Sequence, residues 1–131
     1  MKESPTILLV EDSTTQAKQI KLQLARHGVE VIIAEDGPEG LDLAEKHQPA
    51  LVLLDVNLPT MNGYQVCRRL QRDEKTAHIP VIMLTSAGGS DDTLEGLEAG
   101  AIDYIPKDAF AIDNLLVTLQ ALGILKASGE D

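Results

Sequence analysis

Five short apolar runs punctuate the chain: Thr6 to Val10, Val29 to Ala34, Ala50 to Leu54, Pro80 to Leu84 and Ala101 to Ile105. Together they are rich in Val, Ile and Leu, and they read as buried strands. Between them the period changes. Ala17, Ile20 and Leu24, then Leu94 and Leu97, then Ile112, Leu115, Leu116, Leu119 and Leu122 recur at the spacing that gathers side chains on one face of a helix. Chemistry at the helix ends agrees. Ser13 with Gln16 and Asp36 with Glu39 fit capping boxes, Pro38 suits a first turn, and Gly28 and Gly100 stand where a helix end needs left-handed backbone. Continuous apolar strands alternating with helices predict a parallel sheet, because each right-handed crossover lays its helix over the sheet. The expected fold is α/β: a doubly wound, flavodoxin-like (βα)5 three-layer sandwich with strand order 2-1-3-4-5.

A length of 131 residues suits one domain, expected over residues 1–131 with its core in residues 6–125. The Ser-Gly-Glu-Asp composition of residues 127–131 predicts a frayed tail or linker stump. No apolar run approaches the roughly 18 residues that span a membrane, and the start is polar, so the cytoplasm is the expected location. Acidic residues number 21 against 11 basic ones, a formal charge of -10, which repels a phosphate backbone and disfavours direct DNA or RNA binding. Cys67 stands alone and cannot form an internal disulfide. With Val66 and Leu70 it fits the packed face of a helix. His27, His47 and His78 have no metal-ligand spacing and read as solvated surface residues.

In an open α/β sheet ligands bind beyond the carboxyl ends of the strands, where the strand order reverses. The chemistry collects there. The first strand ends in Glu11-Asp12, the third in Asp55, the fourth in Thr85-Ser86, and the fifth runs through Tyr104 to Lys107. With strands one and three adjacent, Glu11, Asp12 and Asp55 meet. Two carboxylates about 4 Å apart repel by roughly 4 kcal/mol at an effective dielectric near 20, so such a trio must protonate, separate or bind a cation. An all-oxygen set suits Mg2+, with Asp12 and Asp55 as direct ligands and Glu11 acting through water. Asp55 can act as nucleophile toward a phosphoryl group without a separate base, while Lys107 and Thr85 take up charge on its equatorial oxygens. Singly, each residue has a plainer reading: helix-start acids, a loop aspartate, a turn threonine, a surface lysine. Their coincidence at four strand ends carries the inference. Phosphate-loop, zinc-protease and dinucleotide fingerprints are absent from the sequence.

With these positions placed, the chain resembles the receiver domain of two-component response regulators from Thr6 to about Leu125, through the segments ILLVEDS, LVLLDVNLPTMNGYQVCRRL, IPVIMLTS and GAIDYIPK. The resemblance implies that Asp55 is the phosphoacceptor. It implies that Glu11, Asp12, Asp55 and the backbone carbonyl of Asn57 hold Mg2+, and that Lys107 pairs with the phosphoryl group. Thr85 and Tyr104 form the implied switch pair: Thr85 moves toward the phosphoryl oxygens, the Tyr104 ring enters the vacated space, and the face of the fourth helix, fifth strand and fifth helix changes. Asn57 and Ala87 flank the site and are expected to tune the phosphoryl lifetime. One departure stands out. The family usually has Pro after the lysine, often with a cis bond, whereas Asp108 follows Lys107 here and Pro106 precedes it.

The expected function is therefore a phosphorylation-activated switch, self-modifying rather than a turnover enzyme. Its implied partners are a sensor histidine kinase or histidine phosphotransfer protein, a downstream effector, and a second copy of the chain in a phosphorylation-dependent homodimer. The alternative is a phosphorylation-independent binding module on the same fold, against which the full acidic trio argues. A magnesium-dependent aspartyl-phosphate phosphatase would need an acid two positions after the nucleophile, where Asn57 stands.

Overall fold

The structure is a computed structural model that describes residues 4–85 and 98–125. Its elements are β1 (Thr6–Val10), α1 (Thr14–Ala25), β2 (Glu30–Ala34), α2 (Gly37–His47), β3 (Leu51–Asp55), α3 (Gly63–Arg72), β4 (Val81–Thr85), β5 (Asp103–Pro106) and α4 (Ala111–Ala121). All strand pairs are parallel, in the order β2-β1-β3-β4-β5 that the sequence predicts. The helical spacing at Leu94 and Leu97, Ala87 and the 127–131 tail lie outside the described residues.

Strand side chains alternate between two apolar layers, as a period of two requires. Leu8, Val10, Val52, Leu54, Val81 and Met83 face α2 and α3, where they meet Ala44, Val66, Cys67 and Leu70. Ile7, Leu9, Leu53, Ile82, Leu84 and Ile105 face α1 and α4, where they meet Ala17, Leu24, Leu115 and Leu119. β3 and β4 lie in the middle and are buried at every residue. Each fully buried Leu or Ile there contributes about 1.5–3 kcal/mol relative to exposure. No described helix is long and apolar enough to cross a membrane. His27, His47 and His78 are exposed.

The third, fourth and fifth strands each run one residue past the apolar run that predicts them, to Asp55, Thr85 and Pro106. Ladder bonds extend them: Val56 N donates to the Leu84 carbonyl at 3.0 Å and Lys107 N to that of Thr85 at 2.7 Å. Backbone pairing, rather than side-chain polarity, sets where a strand stops. The polar site residues therefore sit on the last rungs of a rigid sheet.

The helix starts correct the sequence reading in two places. Ser13 accepts the Gln16 N–H at 3.3 Å and Asp36 accepts the Glu39 N–H at 2.8 Å, so both are N-caps. Neither return bond of a capping box forms. Glu39 takes the Glu35 N–H instead, at 2.7 Å, and the Gln16 carboxamide turns to Lys107. The reciprocal box belongs to α3, where Asn62 and Gln65 exchange bonds of 3.0 and 3.1 Å. Gly28 and Gly100 do adopt left-handed backbone, at φ 79° and 107°. Gln48 ends α2 at φ 47°, and its carboxamide Nε2 donates to the carbonyls of Glu45 and Lys75, fixing a conformation that a larger apolar residue would resist.

Candidate functional site

Pairing of β1 with β3 sets Val10 opposite Leu54, so the next residues, Glu11 and Asp55, emerge side by side at the carboxyl edge of the sheet. Glu11, Asp12 and Asp55 can each present a carboxylate oxygen within 4.8 Å of the other two. Glu11 and Asp55 are almost wholly buried, at 1% and 3% exposure, while Asp12 is exposed. Lys107, just beyond β5, reaches across β4 into this cluster. Its Nζ lies 2.6 Å from Glu11 Oε1, 2.7 Å from Asp55 Oδ2 and 3.1 Å from Gln16 Oε1. The sequence-predicted acids and the lysine thus meet at one point, although Lys107 is 96 positions from Glu11.

Local turns aim the two buried carboxylates. The free oxygen of Glu11 accepts the Ser13 N–H at 3.1 Å, and that of Asp55 accepts the Asn57 N–H at 3.0 Å. Beneath Asp55, the Gly63 N–H bonds the Val56 carbonyl at 2.9 Å as α3 begins. A Cβ on Gly63 would sit 2.4 Å from the Asp55 carbonyl oxygen and 2.9 Å from Val56 Cα, so only glycine lets the helix start against this backbone. Lys107 is held from behind by its own N–H on Thr85, and the described peptide bonds are all trans, that between Lys107 and Asp108 included. Asp108 in place of Pro leaves the lysine in reach of Asp55. Its carboxylate instead accepts the Phe110 N–H at 2.8 Å in the turn leading to α4.

Electrostatics favour a cation here. Burial pushes the pKa of Glu11 up, and the Asp55 charge adds to this, against the opposing pull of Lys107 and the Ser13 N–H. Burial pulls Lys107 down, but its bonds and charge pairing with Asp55 and Glu11 outweigh it and hold the ammonium above the ordinary lysine value. Three acids against one ammonium leave an excess of negative charge at a site where two of the acids are buried. All donors are hard oxygens. That set fits magnesium, which binds through one or two carboxylates and keeps open positions for phosphate oxygens and water.

Thr85 is 1% exposed and ends β4 one rung beyond Leu84, the partner of Asp55. Tyr104 pairs with Met83 in β5 and its half-buried ring packs on the α2–α3 side of the sheet. Strand alternation puts Thr85 on the same side as Met83, so Thr85 and Tyr104 are diagonal neighbours on one face. Cys67 is fully buried, as the sequence predicts, with Sγ 3.3 Å from the Ala99 carbonyl, and burial pushes its thiol up to about 11. It is packing, not a nucleophile. Two residues in the site escape sequence reasoning. Gln16 carries the signature of a capping box, which hides its bond to Lys107, and Gly63 has no signal beyond being a glycine where alanine would make a better helix.

The response regulator receiver domain family matches residues 7–120. The DNA-binding dual master transcriptional regulator RpaA of Synechocystis is 41% identical over 118 residues, 90% of this chain but 48% of that protein. The chain thus spans about half the length of that relative. Protein PilH of Pseudomonas aeruginosa is 38% identical over 116 residues, which cover 88% of this chain and 95% of PilH. Among solved structures, the receiver domain of the sensor histidine kinase PA1611 from Pseudomonas aeruginosa, with a magnesium ion coordinated in its active site cleft, superimposes with a TM-score of 0.81. It is 31% identical, over 90% of this chain and 96% of that one. By sequence, sheet order and the acidic cluster at the carboxyl edge of the sheet, this chain belongs to the response regulator receiver domains of two-component signalling.

Proposed function

We propose that the chain is a phosphorylation-activated switch in which Asp55 accepts a phosphoryl group from a sensor histidine kinase or histidine phosphotransfer protein. The observation that carries this reading is Lys107 Nζ held 2.7 Å from Asp55 Oδ2 and 2.6 Å from Glu11 Oε1, at a cluster of three acids. An Asp55 carboxylate oxygen attacks phosphorus as the P–N bond of a phosphohistidine breaks and the imidazole leaves with the electron pair. The new bond is an acyl phosphate. Lys107 shifts from Asp55 to a phosphoryl oxygen, and the Thr85 hydroxyl donates to another. Glu11, Asp12, Asp55 and the Asn57 carbonyl would hold magnesium, which when bound offsets negative charge on the phosphoryl oxygens. Water later attacks phosphorus, releasing inorganic phosphate and restoring Asp55. The cycle modifies the protein itself and is not turnover of a separate substrate.

Movement of Thr85 toward the phosphoryl group opens space beside Met83 that the Tyr104 ring can fill, which alters the surface formed with β5 and α4. Shifting such an equilibrium from 1:99 to 99:1 takes about 5.5 kcal/mol, within the reach of a few charge-assisted bonds to a doubly charged group. A downstream effector or a second copy of the chain reads that surface, in the cytoplasm. With a formal charge of -10 the domain acts through such partners and does not itself contact nucleic acid.

Intact-protein mass spectrometry after incubation with acetyl phosphate, with and without magnesium, tests the reading. The expected result is a magnesium-dependent phosphoryl adduct on the native protein and none on Asp55→Asn. A native protein that stays unmodified under every condition would leave a phosphorylation-independent binding module.

A further inference from the structure

Lysine has three N–H donors, and in Lys107 all three have an acceptor: Glu11 Oε1 at 2.6 Å, Asp55 Oδ2 at 2.7 Å and Gln16 Oε1 at 3.1 Å. The third acceptor is neutral and comes from the first turn of α1. A glutamine at that place ordinarily returns its carboxamide to the N-cap N–H, as Gln65 does to Asn62 at 3.1 Å. In α1 that donor is already taken, because the Ser13 N–H bonds Glu11 Oε2 at 3.1 Å. Gln16 is thereby released toward Lys107. One acidic residue of the site thus frees the helix residue that steadies the site's lysine.

We infer that Gln16 is a positioning residue, holding the Lys107 ammonium over Asp55 before and during arrival of a phosphoryl group. The inference rests on the phosphoryl-acceptor reading above. Lys107 must exchange Asp55 Oδ2 for a phosphoryl oxygen while its flexible four-carbon stem stays in place. Its backbone is fixed by the Lys107 N–H on Thr85 at 2.7 Å, but that bond does not direct the head group. Glu11 and Gln16 grip the ammonium from the α1 side and keep it aimed at Asp55 when the third bond is exchanged.

The test compares native protein with Gln16→Met, similar in length but without an acceptor, and Gln16→Glu, which restores one. Gln16 is exposed, so both variants should keep the native urea midpoint. With acetyl phosphate and magnesium, Gln16→Met should form the Asp55 adduct about 5-fold more slowly and Gln16→Glu should recover to within about twofold, the loss expected for one hydrogen bond to a charged group at a half-open site. Independently, the 1H–15N signal of the Lys107 ammonium, recorded cold at fixed pH without metal or phosphodonor, should be visible in the native protein and Gln16→Glu and broadened away in Gln16→Met. Equal rates and an unchanged ammonium signal in Gln16→Met would overturn the inference, as would a slow Gln16→Met that Gln16→Glu fails to rescue. If the native protein formed no adduct, the phosphoryl-acceptor reading and the catalytic purpose of Gln16 would fall together. The ammonium signal would still decide whether Gln16 holds Lys107.

Discussion

Two lysines among the described residues make short ion pairs, with very different surroundings. Lys75, in the loop after α3, bonds Glu45 of α2 at 3.0 Å, and the two side chains are 65% and 47% exposed. Lys107 bonds Glu11 and Asp55 at 2.6 and 2.7 Å, with side chains 24%, 1% and 4% exposed. Both ammoniums are held above the ordinary lysine value, Lys75 by the bond and charge of Glu45, Lys107 by two carboxylates that overcome a burial penalty. Water screens the first pair and contributes little to the second. The contrast teaches that distance alone does not mark a functional pair. Carboxylates taken out of water, with more acids than cations around them, store an unmet demand for positive charge that a surface pair lacks.

The largest effect expected from this contrast is kinetic. Lys107→Met should slow magnesium-dependent formation of the Asp55 adduct about 100-fold, the loss typical of one preorganised charge donor, followed as a mass-spectrometric time course. A loss below tenfold would break the comparison, since Lys107 would then matter no more than a surface cation. Next comes the support under Asp55. Gly63→Ala drives a methyl into the Asp55 and Val56 backbone and should cost about 2–3 kcal/mol in urea unfolding, with slower adduct formation besides. Native stability with the variant would mean that the end of β3 yields easily.

A subtler effect concerns Glu11. Burial raises its pKa, so the folded protein binds that proton more tightly than the unfolded chain does. Its contribution to stability is complete below the unfolded value near 4.5 and is lost as pH rises through the higher folded value. Without divalent cations, Glu11→Gln should therefore unfold at higher urea than native protein at neutral pH, with the advantage fading toward pH 4. The opposite order at neutral pH would mean that Lys107 fully compensates the buried charge. The smallest effect belongs to the surface pair: Lys75→Met should leave the urea midpoint and the rate of Asp55 phosphorylation unresolved from native. A clear change in either would erase the contrast between the two lysines.

Five apolar runs and the helical spacing between them predict a parallel sheet, and the doubly wound order expected for such a chain brings Glu11, Asp12, Asp55 and Lys107 to one edge. These follow from periodicity and from the handedness of crossovers, which are properties of short stretches of chain. The capping signatures at Ser13 and Asp36 locate two helix starts correctly, yet they misassign the bonds of Gln16 and Glu39. The full box at Asn62 and the left-handed Gln48 go unpredicted. A side chain chooses among acceptors and donors by what folding brings near it, and for Gln16 the winning partner is 91 residues away. The need for glycine at position 63 likewise arises only when α3 is laid against the end of β3. Local periodicity therefore specifies the scaffold and which residues share its functional edge. The hydrogen bonds that aim Lys107 and Asp55 are decided by tertiary neighbours, because a polar group is satisfied through space and not along the chain.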